Sequence, residues 1–193
     1  MMKIYSFLIE CVALGENNIW IKCFEENCFD KAIEMMSKGN FQSGTDLPFC
    51  AIFDIIMEKY PDAKIVLNVR DDPQKWVNSW RNTVYKICTL PIYTEIFRLC
   101  PAPLYYMAPS HNQKFHDLFW ARIIKNGNSV SKLKVPENKS TSEMTDQEMC
   151  QLYLNWIEYV KMVTPSDRLG WEMRVCLLRY KLYPYIKWVK GKI

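Results

Sequence analysis

The chain has 193 residues, of which 49% are hydrophobic and 24% charged, with a formal net charge of +4. That balance excludes a disordered or low-complexity chain and suits one domain with its own core. The mild positive charge suits an anionic nucleotide or substrate and is too small to argue for nucleic acid, so no nucleic-acid partner is expected.

Eight cysteines, at positions 11, 23, 28, 50, 88, 100, 150 and 176, include no C-x-x-C pair and no paired ligand spacing. They read as reduced, mostly buried thiols. With His111 and His116 as the two histidines of the chain, no metal site is expected.

Residues 3–14, KIYSFLIECVAL, begin with a positive charge and an apolar run that Glu10 interrupts. About 11 residues are too few to span a bilayer, and no small-x-small cleavage site follows. A buried first strand and a weak signal segment both fit. The sequon Asn138-Lys139-Ser140 would matter only in the second case. Residues 25–37 predict a helix with Phe29, Ile33 and Met36 on one face, ended by Gly39. Thr45 or Asp46 then caps a helix over 47–60 whose stripe is Phe49, Ile52, Phe53, Ile56 and Met57.

Residues 63–69 form a nearly continuous apolar run, the pattern of a strand buried on both faces of a parallel sheet. Arg70 stops it. Asp71, Asp72 and Pro73 predict an N-cap and a first helical turn, and Trp76, Trp80, Val84 and Ile87 continue at helical spacing. Arg70 is thus expected at the carboxyl end of a strand facing a helix N-terminus, where free N–H groups favour anions. Ser79 lies roughly 9 Å along that helix at ~1.5 Å per residue, on a side from which its hydroxyl can join a phosphate site. The alternative is a strand-end Arg paired with Asp71 or Asp72 beside an exposed Ser. Asp46 likewise reads either as a cap or as a base.

Residues 91–109 are apolar beyond the needs of one helix face, which fits an acceptor pocket, a core under a lid or a partner-facing patch. Residues 111–124 predict an amphipathic helix carrying Phe115, Leu118, Phe119 and Ile123. Residues 126–144 read as an exposed polar loop. Thr145 and Glu148 form a capping box, opening a helix to about Val163 with Met149, Leu152, Tyr153, Trp156, Tyr159 and Val160 on one broad side. Residues 174–193 form a basic, aromatic tail, which either docks on the core or makes weak contact with an anionic membrane surface.

The pieces Thr45-Asp46-Leu47-Pro48, Tyr60-Pro61-Asp62-Ala63-Lys64 and Val69-Arg70-Asp71-Asp72-Pro73, followed by Trp76 and Ser79, together resemble the P-loop sulfotransferase-like family that includes the flatworm drug-activating sulfotransferases. VTPSD at 163–167, then Arg168, Leu169 and Gly170-Trp171-Glu172, resembles the segment in which that family runs into its Gly-Trp-Glu turn. The resemblance implies an α/β fold with a three-layer P-loop-type parallel sheet flanked by helices, here reduced. It also implies a single cytoplasmic sulfotransferase-like domain over residues 1–193, divergent over 1–26. The cosubstrate implied is 3'-phosphoadenosine 5'-phosphosulfate, and the acceptor a small-molecule hydroxyl or amine. Arg70 and Ser79 match the pair that grips the 3'-phosphate, and Asp46 matches the catalytic base. Lys190-Gly191 resembles a further 3'-phosphate clamp.

Three departures accompany the resemblance. Arg70 and Ser79 stand one position further apart than in the family. The family's 5'-phosphosulfate loop, Gly-x-Pro-Arg-Thr-Gly-Thr-x-Ser-Leu, is replaced by Leu14-Gly15-Glu16-Asn17-Asn18, and Ser43-Gly44-Thr45 is no substitute because no strand is expected before it. The strand between the Asp-Arg-Leu and Gly-Trp-Glu pieces is expected to be lost, with residues 173–178 as its replacement. Weak turnover follows, since losing even one oxyanion-type donor costs about 10² to 10³ in rate. The alternatives are a catalytically inactive nucleotide-binding or interaction relative, and an incomplete gene product.

Overall fold

The computed structural model describes residues 4–6, 17–39, 43–45, 47–86 and 109–174. In chain order these are β1 (Ile4–Ser6), α1 (Asn17–Glu26), α2 (Asp30–Lys38), β2 (Ser43–Thr45), α3 (Phe49–Lys59), β3 (Ile65–Val69), α4 (Pro73–Trp80), a π-helical turn (Arg81–Tyr85), α5 (Pro109–Val130), α6 (Asp146–Val163) and β4 (Leu169–Arg174). The protein is a mixed α/β structure. Among the described residues the strands form two parallel pairs, β1 with β2 and β3 with β4. The apolar segment 91–109 up to Pro109, the tail beyond Arg174 and Asp46 itself lie outside the described residues.

Both parallel pairs are joined by helical crossovers, as parallel strands require. β1 reaches β2 through α1 and α2, and Tyr5 stands opposite Gly44. The Ser43-Gly44-Thr45 stretch is therefore a strand and not a loop remnant. Gly44 is needed there because a Cβ would overlap the ring of Phe49 at the start of α3.

The helix expected over 25–37 is two helices. α1 ends where Asn27 takes φ 48°, the left-handed conformation that asparagine tolerates, and Cys28 N–H donates back to Cys23 C=O at 3.0 Å. α2 restarts at Asp30 and buries Ala32, Ile33 and Met36, ending at Gly39 as expected. α3 begins at Phe49, with Pro48 in the N-cap position and no capping side chain. Thr45 belongs to β2 and stands outside that N-cap position.

β3 is half-buried: Leu67 and Val69 point inward while Val66 is 61% exposed and Asn68 is exposed. The expectation of burial on both faces fails because α3 and α6 cover one face. No residue stands between Leu169 and Gly170, and the strand paired with β3 is β4, which takes in Gly170-Trp171-Glu172 and, of the replacement expected at 173–178, Met173 and Arg174; residues 175–178 lie outside the described residues. The register shifts by one residue between Ile65, opposite Leu169, and Val66, opposite Trp171, so Gly170 is the extra residue of a bulge.

After Trp80 the helix widens into the π turn, which inserts one residue into the periodicity. The apolar stripe moves with it. Val84, expected inward, is exposed, whereas Tyr85 packs against the core with its ring 5.5 Å from Trp80.

The main hydrophobic cluster joins Trp20 of α1, Ile33 of α2, Ile52 of α3, Val77 of α4, Phe119 of α5 and Leu152 of α6. A second cluster of Phe53, Met57, Leu67, Val69, Tyr159 and Val160 seats β3 on α3 and α6. α6 starts as expected: the Thr145 hydroxyl accepts from Glu148 N–H at 3.2 Å, and the Glu148 carboxylate accepts from Thr145 N–H at 2.7 Å. Its Lys139 partner and the Thr145 N–H hold the Glu148 carboxyl below the ordinary range.

The segment read as an exposed loop, 126–144, is held down at several points. α5 runs through Asn126-Gly127-Asn128 to Val130, and Ser131, Val135, Thr141 and Met144 are buried. Asn128 donates to Val135 C=O at 2.9 Å and accepts from Val135 N–H at 3.0 Å, doing with one amide what a paired strand does with its backbone. Asn155 of α6, fully buried, donates to Leu133 C=O at 2.7 Å. Gly127 allows this approach, since a Cβ there would lie 3.1 Å from Asn155 Cβ and 3.3 Å from the backbone of Asn155 and Trp156.

A polar junction ties the helices from the other side. Arg122 of α5 donates to Ala51 C=O at 2.6 Å, to Asn27 Oδ1 at 2.8 Å and to Asp54 Oδ2 at 3.1 Å, and Tyr159 of α6 donates to the same Asp54 oxygen at 3.0 Å. Burial first, then the Asp54 charge, pushes the Tyr159 hydroxyl from 10 up to about 12.

Two outcomes test these contacts. Gly127→Ala adds helix propensity of about 1 kcal/mol, yet it meets α6 backbone. It is expected to lower stability, and Gly127→Val to cost about 1–3 kcal/mol in urea unfolding. A stabilised Gly127→Ala protein would contradict the close approach. Tyr159 has a folded pKa above its unfolded one, so the folded chain holds the extra proton between pH 10 and about 12. Stability is expected to be intact below pH 10 and to fall across that interval, and Tyr159→Phe should flatten that part of the alkaline unfolding profile.

Candidate functional site

Arg70 follows the last residue of β3, at the carboxyl end of a parallel strand, and Pro73 opens α4 three residues later. This is the crevice in which open parallel sheets bind ligands. The Arg70 guanidinium is half-buried and donates from Nη2 to Ser79 Oγ at 3.4 Å. The two side chains singled out from the sequence are therefore together. The additional residue between them is absorbed in the turn, where it does not separate the pair.

Asp72 is the N-cap of α4, with extended backbone at φ −125°, ψ 117°. Its Oδ1 accepts from Gln74 N–H at 2.8 Å, while its C=O accepts from Lys75 N–H at 3.1 Å and Trp76 N–H at 3.4 Å. Pro73 has no N–H to offer. The expectation that free amides at this helix start hold an anion is corrected: Asp72 engages them, Gln74 N–H through its carboxylate and Lys75 and Trp76 N–H through its carbonyl. Those three amides are therefore not available to an anion beside Arg70.

Tyr153 is the residue that the sequence reading assigned only to a buried stripe. Its hydroxyl accepts from the Arg70 N–H at 2.6 Å, and its ring stacks on Trp76 at 4.9 Å with planes 17° apart. Burial raises the Tyr153 hydroxyl above its usual value, partly offset by the Arg70 N–H and the Arg70 charge, so it stays a neutral phenol. Nothing in the linear pattern distinguishes it from Met149 or Tyr159 on the same helix. Its distance from Arg70 in sequence is 83 residues.

Val69, Arg70, Asp71, Pro73, Tyr153, Leu154 and Ile157 line a hollow of about 210 Å³. That is below the roughly 300–1,000 Å³ of small-molecule sites. It accommodates a phosphate-sized group. Asp46, the residue matched to a base, is outside the described residues, as is 7–16, which precedes α1 where the family's 5'-phosphosulfate loop would stand. Among the described residues no group of three or more His, Cys, Asp or Glu side chains is gathered as a metal site, and no helix is long and apolar enough to cross a membrane.

A family model described as a sulfotransferase domain matches residues 6–181. Ava biosynthesis cluster protein M of Aspergillus versicolor is 25% identical over 158 residues, which cover 78% of this chain and 52% of that protein. The chain thus spans about half the length of that relative. The family match runs from the end of β1 through β4 and includes Arg70, Ser79 and Tyr153, so that the strand-end arginine and its serine partner lie within it. On that match the chain belongs to the sulfotransferase-domain family.

Proposed function

We propose that this chain binds 3'-phosphoadenosine 5'-phosphosulfate and transfers its sulfonate to a small-molecule hydroxyl or amine. The observation that carries the reading is the Arg70–Ser79 contact of 3.4 Å at the mouth of a parallel strand, in a chain of this family. Arg70 supplies a fixed fork of donors for the 3'-phosphate, and Ser79 adds a hydroxyl donor to the same group. Tyr153 holds the Arg70 backbone, and the small hollow beside them suits one phosphate. Asp72 keeps the α4 amides engaged, so affinity there depends on the guanidinium.

Asp46, next in sequence to β2, is the base. It takes the acceptor's proton as the new bond to sulfur forms and the bond from sulfur to the phosphate oxygen breaks, releasing 3'-phosphoadenosine 5'-phosphate. With Leu14-Gly15-Glu16-Asn17-Asn18 in place of a donor-rich loop, the 5' end is held by fewer groups and turnover is slow. In this reading residues 1–193 form one domain, the two strand pairs belong to one parallel sheet, and the protein acts in the cytoplasm. The tail over 174–193 is a surface for the core or an anionic membrane.

Calorimetric titration with 3'-phosphoadenosine 5'-phosphate tests the nucleotide site. Arg70→Ala is expected to weaken binding about ten- to hundredfold, the loss of a charged hydrogen-bonding group, and Ser79→Ala by about threefold to tenfold. Undiminished affinity in a folded Arg70→Ala protein overturns the site. Asp46→Ala is expected to leave that affinity unchanged and to remove sulfonate transfer, measured with the phosphosulfate donor and an acceptor panel.

A further inference from the structure

The turn joining α1 to α2 carries two cysteines, Cys23 and Cys28. Cys28 N–H donates to Cys23 C=O at 3.0 Å, and Asn27 before it has φ 48°. This is the six-to-one bond of a Schellman ending, with asparagine in the left-handed position. In that ending the side chains at the two bonded positions commonly meet. That 3.0 Å bond brings the two backbones into contact, the kind of proximity a disulfide needs, since it spans Cα atoms roughly 4.4–6.8 Å apart.

Both sulfurs converge on the first turn of α2. Ala32 N–H donates to the Cys23 sulfur, and Cys28 Sγ lies 4.0 Å from Asp30 Oδ2. They differ in access: Cys23 is 3% exposed whereas Cys28 is open to solvent. Such a pair combines a thiol that a reagent reaches with a second, shielded thiol beside it.

We propose that Cys23 and Cys28 are an oxidation site that closes to an intrachain disulfide under a two-electron oxidant of the peroxide class. The Cys28 sulfur attacks the peroxide O–O bond, giving a sulfenic acid and the first water. The Cys23 sulfur then attacks the Cys28 sulfur. The S–S bond forms, the S–O bond breaks, and the hydroxyl leaves with the Cys23 proton as the second water. Two thiols lose two electrons and two protons, and the peroxide takes them up. Burial raises the Cys23 thiol above its ordinary value, with the Ala32 N–H opposing in part, so Cys23 reacts slowly with the oxidant itself and the first attack falls to the exposed Cys28. The bridge would fasten the turn that Arg122 already holds through Asn27 Oδ1 at 2.8 Å.

The test treats the folded full chain with hydrogen peroxide, alkylates the remaining thiols and maps tryptic peptides. Cleavage after Lys22 and Lys31 leaves both cysteines in one peptide, CFEENCFDK. That peptide is expected to become lighter by two hydrogens and to refuse alkylation, about tenfold faster than any other cysteine pair forms. Urea should abolish the preference. In Cys23→Ser, Cys28 should stop at a sulfenic acid trapped by dimedone. The proposal is overturned if Cys28 runs on to sulfinic acid with Cys23 still reduced. Pairing of either cysteine elsewhere, or equal pairing in urea, overturns it as well.

Discussion

The hydrogen bond from Arg70 N–H to the Tyr153 hydroxyl, 2.6 Å long, is the joint on which the site depends. It fastens the end of β3 to the middle of α6, and the Trp76 ring stacked on Tyr153 brings α4 to the same point. Without the hydroxyl a partly buried N–H would lose its acceptor, at a cost of about 1–3 kcal/mol. The register of α6 therefore matters to the arginine. That register is set at the capping box, where Thr145 and Glu148 satisfy each other's backbone donors two turns before Tyr153.

The start of α4 shows a choice between two uses of the same amides. A helix N-terminus attracts an anion from solution or from its own chain. Here Asp72 takes the position, so the amide cradle is closed to a ligand while the helix is well anchored. Arg70 and Ser79 remain as the means of holding a phosphate. In the proposed site, recognition rests on a guanidinium whose backbone is pinned by Tyr153 and whose fork reaches across to Ser79 in the last turn of α4.

Elsewhere among the described residues buried polar groups tie helices and connecting segments together. Asn128 and Asn155 bind the 131–135 segment to α5 and α6, while Arg122 bridges α5, α3 and the Asn27 turn. The Arg122–Asp54 pair is mostly buried, at 17% and 22% exposure, and it is completed by the Tyr159 hydroxyl. Removing one member leaves charge without a partner, so these junctions specify how the helices sit more than they add stability.

By itself the sequence determined the features that local chemistry controls. The Thr145–Glu148 box, the Asp72-Pro73 helix start and the apolar stripes of α2, α3 and α6 all follow from side chains within a few residues of each other, whereas the Arg70–Ser79 contact was one of two readings that the sequence left open. Tertiary contact decided the rest. Asn126-Gly127-Asn128 reads as part of an exposed loop, yet it continues α5, where Gly127 permits α6 to approach and Asn128 finds a backbone partner in Val135. Gly170 reads as a turn residue, yet it sits in a strand because β3 offers it an edge with room for a bulge. Val66 faces solvent since neither α3 nor α6 covers that side, and Tyr153 serves Arg70 from 83 residues away. Pattern reveals periodicity and caps, which are local. Which neighbour a side chain meets depends on closure of long loops, and no short stretch of residues records that.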